Sequence, residues 1–404
     1  MIYGTEIEGG VTAAEGFRAS GVAAGIKPGS TKKDCALVVS DLPAVTVGTF
    51  TTNLFKAPPI QWTESVCATG LARAVFANSG NANACTGEAG YEDAEATAAL
   101  VGNGIESPAE GVCILSTGVI GLRLPMDRIA LGVQECLKNL SSTGSHDAAL
   151  AIMTTDTVPK EKAIEVELEA GPVRIGAIAK GSGMISPRMA TMFCIITTDA
   201  AIESEPLTDI LREAVGVSFN QICVDNDMST SDAVICMANG TSSVPVVTSR
   251  EEDYELFRQA VIELCQEMAK ALVRDGEGAT KFVEIQVSGA ASEKDAKTIA
   301  RAIAVSQLCK TAFYGQDPNW GRIACAAGYS GAKFKPEQVS IWIDDVQVME
   351  GGMPAAFEEQ KAAACMRKRE FNIRVDCGKG PGKAVFWTSD LSHEYVKINA
   401  DYRS

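Results

Sequence analysis

The run Lys180-Gly181-Ser182-Gly183-Met184-Ile185-Ser186-Pro187-Arg188-Met189-Ala190-Thr191-Met192, followed by the apolar residues 193–198, organises this chain. Its glycines and its proline indicate a loop, and the β-branched residues after it indicate a buried strand. Residues 163–179 before it alternate apolar and charged side chains around Gly171-Pro172, which predicts a hairpin turning there. A loop between two strands therefore lies near the middle of the chain.

Strand and helix patterns extend from this loop in both directions. We predict strands at 36–39, 45–51, 74–76, 282–288, 339–347, 371–376 and 384–388. We predict helices starting at Pro125, over 207–215, and over 256–272 with an end near Gly276. Strands in the middle and helices outside predict an α/β fold, a layered sandwich of β-sheets with outer helices, packed as one body.

Composition excludes several classes of protein. A length of 404 residues predicts two or three packing units. The formal charge of −15 disfavours nucleic acid and anionic membranes as partners. No apolar run approaches the ~20 residues that a membrane helix needs, and the start of the sequence has no basic segment followed by an apolar one. We therefore expect a cytoplasmic protein.

The cysteines favour neither disulfides nor a metal site. The chain has 13 cysteines, an odd number, and the closest pair is Cys365 and Cys377. No Cys-x-x-Cys is present, so zinc-binding spacing is missing and no metal site is predicted. We predict reduced cysteines in the core.

Histidine chemistry and phosphate loops are also disfavoured. His146 and His393 are the only histidines, and both stand in polar stretches without a nucleophile motif, so we predict surface positions for them. The glycine-rich run at 378–384 lacks the ending of a P-loop, and Gly181-Ser182-Gly183 lacks the third glycine of a dinucleotide fingerprint. No cofactor is predicted.

A threonine can act without histidine if backbone cleavage frees its own α-amine as the base. The Thr191 hydroxyl could attack the carbonyl of the small residue Ala190, and water would open the resulting ester. The new amine, with a pKa of ~8, could take the hydroxyl proton and return it to a leaving amine. The alternative is that Thr191 only begins a buried strand.

Several segments together resemble the ornithine acetyltransferase family. They are 9–12, 16–19, 78–87, 116–121, 180–185, 189–192, 197–200, 317–323 and 395–403, in the same order over practically the whole chain. The resemblance implies a self-processing fold of the N-terminal-nucleophile type, shared with certain aminopeptidases. It also implies cleavage at Ala190-Thr191 into an α piece, residues 1–190, and a β piece, residues 191–404, associated as α2β2.

The resemblance also implies an activity. Thr191 would accept acetyl from N2-acetylornithine and pass it to glutamate by ping-pong kinetics, releasing ornithine and N-acetylglutamate in arginine biosynthesis. Many family members also use acetyl-CoA as donor, as a substrate rather than as a cofactor.

Residue roles follow from the same resemblance. Thr117 and Gly118 would form the oxyanion hole, Lys180 would bind a substrate carboxylate, and Glu277 would bind the ornithine amino group. Three further polar contacts are implied at Thr154, Asn399 and Ser404. Each has an ordinary alternative: a strand-ending turn at Thr117-Gly118, a solvated charge at Lys180, a helix end at Glu277 and a frayed terminus at Asn399 and Ser404.

Some positions depart from the family pattern. They are Pro187-Arg188, Phe193, the run from Val224 to Thr230, and Ser404 in place of a usual threonine. None removes a proposed catalytic group. Two rival functions stay open at this stage: a self-cleaving aminopeptidase of related fold, whose nucleophile is typically a serine after glycine, and a non-catalytic binding protein that never cleaves.

Overall fold

The computed structural model describes residues 3–27, 29–186 and 192–401. The helices in these ranges are α1 (Pro58–Thr69), α2 (Gly87–Gly104), α3 (Met126–Lys138), α4 (Ser145–Ile152), α5 (Ser204–Gly216), α6 (Glu251–Arg274), α7 (Glu293–Ala304), α8 (Gln307–Gly315), α9 (Trp320–Gly328), α10 (Glu359–Arg367) and α11 (His393–Asp401). Among these described residues, no helix is long and apolar enough to cross a membrane.

The strands form two sheets. They are β1 (Thr5–Ile7), β2 (Phe17–Val22), β3 (Cys35–Phe50), β4 (Leu71–Asn81), β5 (Val112–Val119), β6 (Lys160–Leu168), β7 (Gly171–Lys180), β8 (Phe193–Thr198), β9 (Ile222–Cys223), β10 (Ala233–Ala238), β11 (Phe282–Ala290), β12 (Ser340–Ile343), β13 (Val346–Glu350), β14 (Met353–Pro354), β15 (Glu370–Asp376) and β16 (Gly382–Ser389). The first sheet has the order β1-β6-β7-β8-β10-β3-β4-β5, with β2 also paired to β3. The second has the order β14-β13-β12-β15-β11-β16-β9.

The first sheet is buried on both faces. Along β8, Phe193 and Ile195 pack with α1–α4, whereas Cys194 and Ile196 pack with α5 and α6, as the two-residue period of a strand requires. Trp387 and Phe282 of the second sheet join the α5–α6 side. Helices α7–α10 cover the other face of the second sheet. The predicted α/β class with layered sheets and helices is confirmed, and α5 and α6 lie between the two sheets.

The local predictions are confirmed with three differences. The strands predicted at 36–39 and 45–51 are one strand, β3, whose register with β4 shifts between Val39 and Ala44. The segment predicted as one strand at 339–347 is the hairpin β12–β13. The hairpin β6–β7 turns at residues 169–170, because Gly171 already pairs with Leu168. In each case the pairing partner, which one-dimensional periodicity does not contain, decides the boundary.

Both histidines and most of the cysteines lie where the sequence predicts, but Cys85 and Cys325 are exposed rather than in the core. All cysteines are free and nine are buried in the core. His146 bonds Glu161 at 2.6 Å with its side chain mostly in solvent, and His393 is exposed beside Tyr314.

Candidate active site

Thr117 and Gly118 lie at the end of β5, beside Ser79 and Gly80 of β4. Gly118 has a φ of +131°, and a Cβ at this position would overlap the backbone of Gly80 and Asn81. Only glycine fits this conformation and this close approach of the two strands. Thr117 itself is 3% exposed. Thr117 is therefore buried and the pair is closely packed near the end of the edge strand β5, and its role as an oxyanion hole stays a prediction.

Lys180, the last residue of β7, reaches the same place. Its Nζ lies 3.5 Å from Thr117 Oγ1 and 4.0 Å from Asp156 Oδ2. The residue is 2% exposed, so the alternative that Lys180 is a solvated loop charge is wrong. Burial lowers the pKa of Lys180, and the negative charge of Asp156 opposes that shift. Two predicted site residues thus meet in a buried position.

A buried network that the sequence did not reveal surrounds Lys180. Asp156 Oδ1 accepts hydrogen bonds from Lys160 Nζ and from the Gly181 backbone N–H, both at 2.7 Å. Lys160 Nζ also contacts Asp275 Oδ2 at 2.6 Å. Burial raises the pKa of Asp156, but Lys180 and Lys160 outweigh burial and bring the pKa to about 2. Asp156 therefore holds a permanent negative charge beside Lys180.

Thr154 belongs to the same corner through its backbone. Its N–H donates to Asp156 Oδ2 at 3.1 Å. The sequence signal was weak here, because Asp156 and Lys160 stand at a loop-to-strand junction where charged residues are usually solvated.

Glu277 packs against the loop that follows β7, at Ser182 and Gly183. Its backbone N–H donates to Ser182 O at 2.9 Å, and a Cβ on Gly183 would overlap its carboxyl group. Asn399 of α11 donates from Nδ2 to Glu277 Oε2 at 2.7 Å. Glu277 is 8% exposed, and its negative charge partly opposes the lowering of the Lys180 pKa by burial. The structure therefore joins Glu277 and Asn399, which lies in a helix rather than in a frayed terminus.

Two acidic residues that sequence reasoning missed hold the chain on either side of residues 187–191. Asp225 accepts the backbone N–H groups of Met184 at 2.6 Å and Ile185 at 2.9 Å. Burial raises the pKa of Asp225 to about 6. Asp232 Oδ1 accepts the N–H of Met192 at 3.0 Å. The only sequence signal for Asp225 was the unusual run from Val224 to Thr230.

Asp232 is also buried without full hydrogen bonding. Its Oδ2 has no hydrogen-bond partner within the described ranges, and burial raises the pKa of this carboxyl. Ala190, Thr191 and Ser404 lie outside the described residues. Of the described residues, no group of three or more His, Cys, Asp and Glu side chains is placed to hold a metal ion.

The geometry of the site indicates the general class of protein. A layered α/β fold carries, at one sheet edge, a buried cation beside a threonine–glycine pair, with a carboxylate–amide pair across the loop. This is the arrangement of an enzyme that binds a small charged substrate.

The chain belongs to the ArgJ family, whose model matches residues 18–404. It is 47% identical over 399 residues to the arginine biosynthesis bifunctional protein ArgJ of Symbiobacterium thermophilum, covering 98% of this chain and 99% of that one. It is also 47% identical over 392 residues to the ArgJ protein of Geobacter sulfurreducens, covering 96% of this chain and 99% of that one.

A solved structure is similar as well. The crystal structure of the ArgJ protein of Bacillus halodurans aligns with a TM-score of 0.50 at 39% sequence identity. The alignment covers 52% of this chain and 98% of the solved one. The resemblance stated from the sequence motifs is thus confirmed over nearly the whole chain.

Proposed function

We propose that this enzyme moves the acetyl group of N2-acetylornithine to glutamate, releasing ornithine and N-acetylglutamate in arginine biosynthesis. The observation that carries the proposal is the contact of 3.5 Å between Lys180 Nζ and Thr117 Oγ1 at a buried sheet edge. It places a cation for a substrate carboxylate next to a hydroxyl that can bind a carbonyl oxygen. The relatives named as arginine biosynthesis bifunctional proteins support the pathway and a second activity, which we propose is the acetylation of glutamate by acetyl-CoA.

The nucleophile is Thr191, freed by cleavage after Ala190. Asp225 accepts hydrogen bonds from Met184 and Ile185 before this segment, and Asp232 accepts one from Met192 after it, so the described chain is fixed on both sides of the proposed cleavage point. These contacts support a precursor split into pieces 1–190 and 191–404.

The reaction then proceeds in two balanced half-reactions. The Thr191 hydroxyl attacks the acetyl carbonyl, its proton passes to the Thr191 α-amine, and the negative oxygen is stabilised by Thr117 Oγ1–H and Gly118 N–H. Collapse expels ornithine, which takes the proton, and leaves an acetyl ester on Thr191. The amine of glutamate attacks this ester, and the same groups carry the proton back.

The charged residues select an amino-acid substrate. Lys180 binds the α-carboxylate, and Glu277 binds the ornithine amino group. Thr154, Asn399 and Ser404 provide polar contacts at the edge of the site. The hydrogen bond from Asn399 to Glu277 supports this assignment, because it fixes the carboxylate against Gly183. No cofactor takes part, and acetyl-CoA acts only as a second acetyl donor.

The two pieces remain together after cleavage. In the first sheet, β8 and β10 of the second piece lie between β7 and β3 of the first piece. Separation would break hydrogen-bonded strand pairs on both sides of β8–β10. We infer that the pieces assemble further as α2β2 and work in the cytoplasm.

The test combines mass and activity on the same samples. Denaturing mass spectrometry of the wild type should give two fragments that meet between Ala190 and Thr191, and the protein should transfer acetyl from N2-acetylornithine to glutamate. Thr191→Ala should give one chain of 404 residues without transfer. Thr208→Ala, which removes another threonine hydroxyl in an exposed helix turn, is the matched control. Full transfer by an uncut Thr191→Ala chain would refute the mechanism.

A further inference from the structure

A second cavity lies on the outer helical face of the second sheet. Its volume is about 740 Å³, within the range of small-molecule sites. Helix α7 forms one wall, and Phe386 of β16, which is buried, and Tyr329 at the end of α9, which is exposed, also line the cavity. The cavity shares no lining residue with the site around Thr117, Lys180 and Glu277.

The wall formed by α7 is basic. Lys294, Lys297 and Arg301 line the cavity at spacings of three and four residues, which places them on one face of the helix. Glu293 is the one carboxylate among the lining residues, and it pairs with Lys297 at 2.6 Å. Within the described ranges, no carboxylate lies at ion-pair distance from Lys294 or Arg301. In a chain with a formal charge of −15, this is a local concentration of unneutralised positive charge.

One donor of the Arg301 guanidinium is unsatisfied within the described part of the chain. Its Nε is buried and has no hydrogen-bond partner among the residues that the structure describes. Buried donors in folded proteins are nearly always satisfied by the protein, by water or by a ligand. A guanidinium facing a cavity beside two ammonium groups suits the oxygens of a phosphate, which accept several charge-assisted hydrogen bonds at once.

The rest of the lining is suited to a flat ring. Phe386 is 3% exposed and presents a fixed apolar surface, together with Ala302 and Val305. Tyr329 is 62% exposed, and its ring can cover a bound base. A bare inorganic anion would use the basic wall only.

We propose that this cavity is a nucleotide-binding site, in which the phosphates contact Lys294, Lys297 and Arg301 and the base lies against Phe386 and Tyr329. Two sources share this chemistry: a free nucleotide, and the phosphorylated nucleotide end of CoA. The CoA source rests on the proposed function, since acetyl-CoA is there the second acetyl donor. Gln221, which lines the cavity, immediately precedes β9. Asp225, which accepts a hydrogen bond from Met184 before the proposed cleavage point, follows β9, so this short strand connects the cavity to the proposed active site.

Isothermal titration of the whole enzyme with adenosine 3′,5′-bisphosphate, CoA, ADP and inorganic phosphate tests the site. The cavity variant combines Lys294→Gln and Arg301→Gln. The control combines Lys361→Gln and Arg367→Gln, which remove the same two charges from exposed positions of α10 in the same half of the chain. We expect nucleotide affinity to fall at least tenfold in the cavity variant and to stay within twofold in the control. Binding should also weaken with added salt.

The probes separate the sources. Tighter binding of CoA and adenosine 3′,5′-bisphosphate than of ADP supports the CoA source, and equal or tighter binding of ADP supports a free nucleotide. The inference is overturned if no nucleotide binds the wild type, if the cavity variant binds as well as the control, or if inorganic phosphate binds as tightly as the nucleotides. Transfer from N2-acetylornithine to glutamate should be unchanged in both variants, so a failed cavity and a failed acetyltransferase give different results.

Discussion

A single buried lysine organises the substrate side of the site. Lys180 is held between Thr117 Oγ1 and Asp156, and Asp156 stays charged because Lys160 and Lys180 both stabilise its carboxylate. Lys160 contacts two carboxylates at 2.7 and 2.6 Å, whereas Lys180 lies 4.0 Å from Asp156, so we expect Lys180 to have more of its charge available to a ligand. The sequence shows both lysines, but it does not show that Lys160 pairs with carboxylates inside the protein while Lys180 can bind a ligand.

Replacing Lys180 with Met tests this division. We expect kcat/KM for acetyl transfer to fall by at least about thirtyfold, mainly through KM, because losing a buried charge partner of the substrate costs about 2–5 kcal/mol. Steady-state kinetics with both substrates measure the change. Lys162→Met, on the same sheet but pairing Glu6 near the surface, should stay within about twofold. An unchanged KM for glutamate and N2-acetylornithine in Lys180→Met would contradict the role.

The titration of Asp225 gives a second test at the residue scale. Burial raises its folded pKa from 3.8 to about 6, so the folded state binds a proton that the unfolded state has already lost between these pH values. The contribution of this group to stability is therefore favourable below pH ~4 and is lost as pH rises through ~6. At 1.36 kcal/mol per unit, the loss is at most about 3 kcal/mol.

Urea unfolding at pH 4 and pH 7 measures this effect. The difference in unfolding free energy between wild type and Asp225→Asn should shift by about 1–3 kcal/mol towards the variant as pH rises, because Asn cannot ionise. Asp345→Asn, at an exposed turn, should give no such shift. A wild-type advantage that grows with pH would show that the pKa is shifted in the opposite direction.

At the scale of single elements, strands β4 and β5 position Thr117 and Gly118, the proposed oxyanion-binding groups. Near the end of β5, Thr117 and Gly118 lie beside Ser79 and Gly80 of β4, and the close approach of the two strands together with the positive φ of Gly118 requires glycine at this position. This close approach depends on two strands that are far apart in sequence. The motif predicted the residues, and the pairing of β4 with β5 supplied the reason for the glycine.

Gly118→Ala should abolish this arrangement. The added Cβ would overlap Gly80 and Asn81, so the end of the strand must move. The backbone N–H of residue 118 would then no longer point towards the proposed oxyanion. Removing one oxyanion donor lowers kcat by about 10²–10³-fold, and we expect a loss of that order. Gly121→Ala is a matched control, because Gly121 also has a positive φ, +85°, but has open space around it. Comparable losses of kcat in the two variants would mean that backbone strain alone explains the effect.

At the scale of the whole molecule, the sequence predicted the layers but not their order. Alternating and 3.6-residue periods identified the hairpin β6–β7, the buried strand β8 and the helices α5 and α6. Nothing in those periods indicated that β10 would join β8 or that α5 and α6 would lie between the sheets. The same limit hid the network of Asp156, Lys160 and Asp275, since these residues meet only after the chain folds.

The order of strands leads to a prediction about the cleaved protein. On size-exclusion chromatography without denaturant, the two pieces should elute together. In increasing urea they should separate only where Thr191→Ala, which remains one chain, also unfolds. The reason is that β8 and β10 each pair with strands of the other piece. Elution of the second piece alone under native conditions would contradict the interleaved sheet.

The position of β8 and β10 between strands of the first piece also determines the order of folding and the proposed cleavage. If the bond between Ala190 and Thr191 is cut as we propose, a sheet whose middle strands come from the later half of the chain must be completed first. The uncut precursor thus serves as the template for its own assembly. Once the two pieces have been separated by denaturant, their reassociation is a second-order reaction whose rate falls on dilution. Synthesis as one polypeptide is therefore required for efficient maturation.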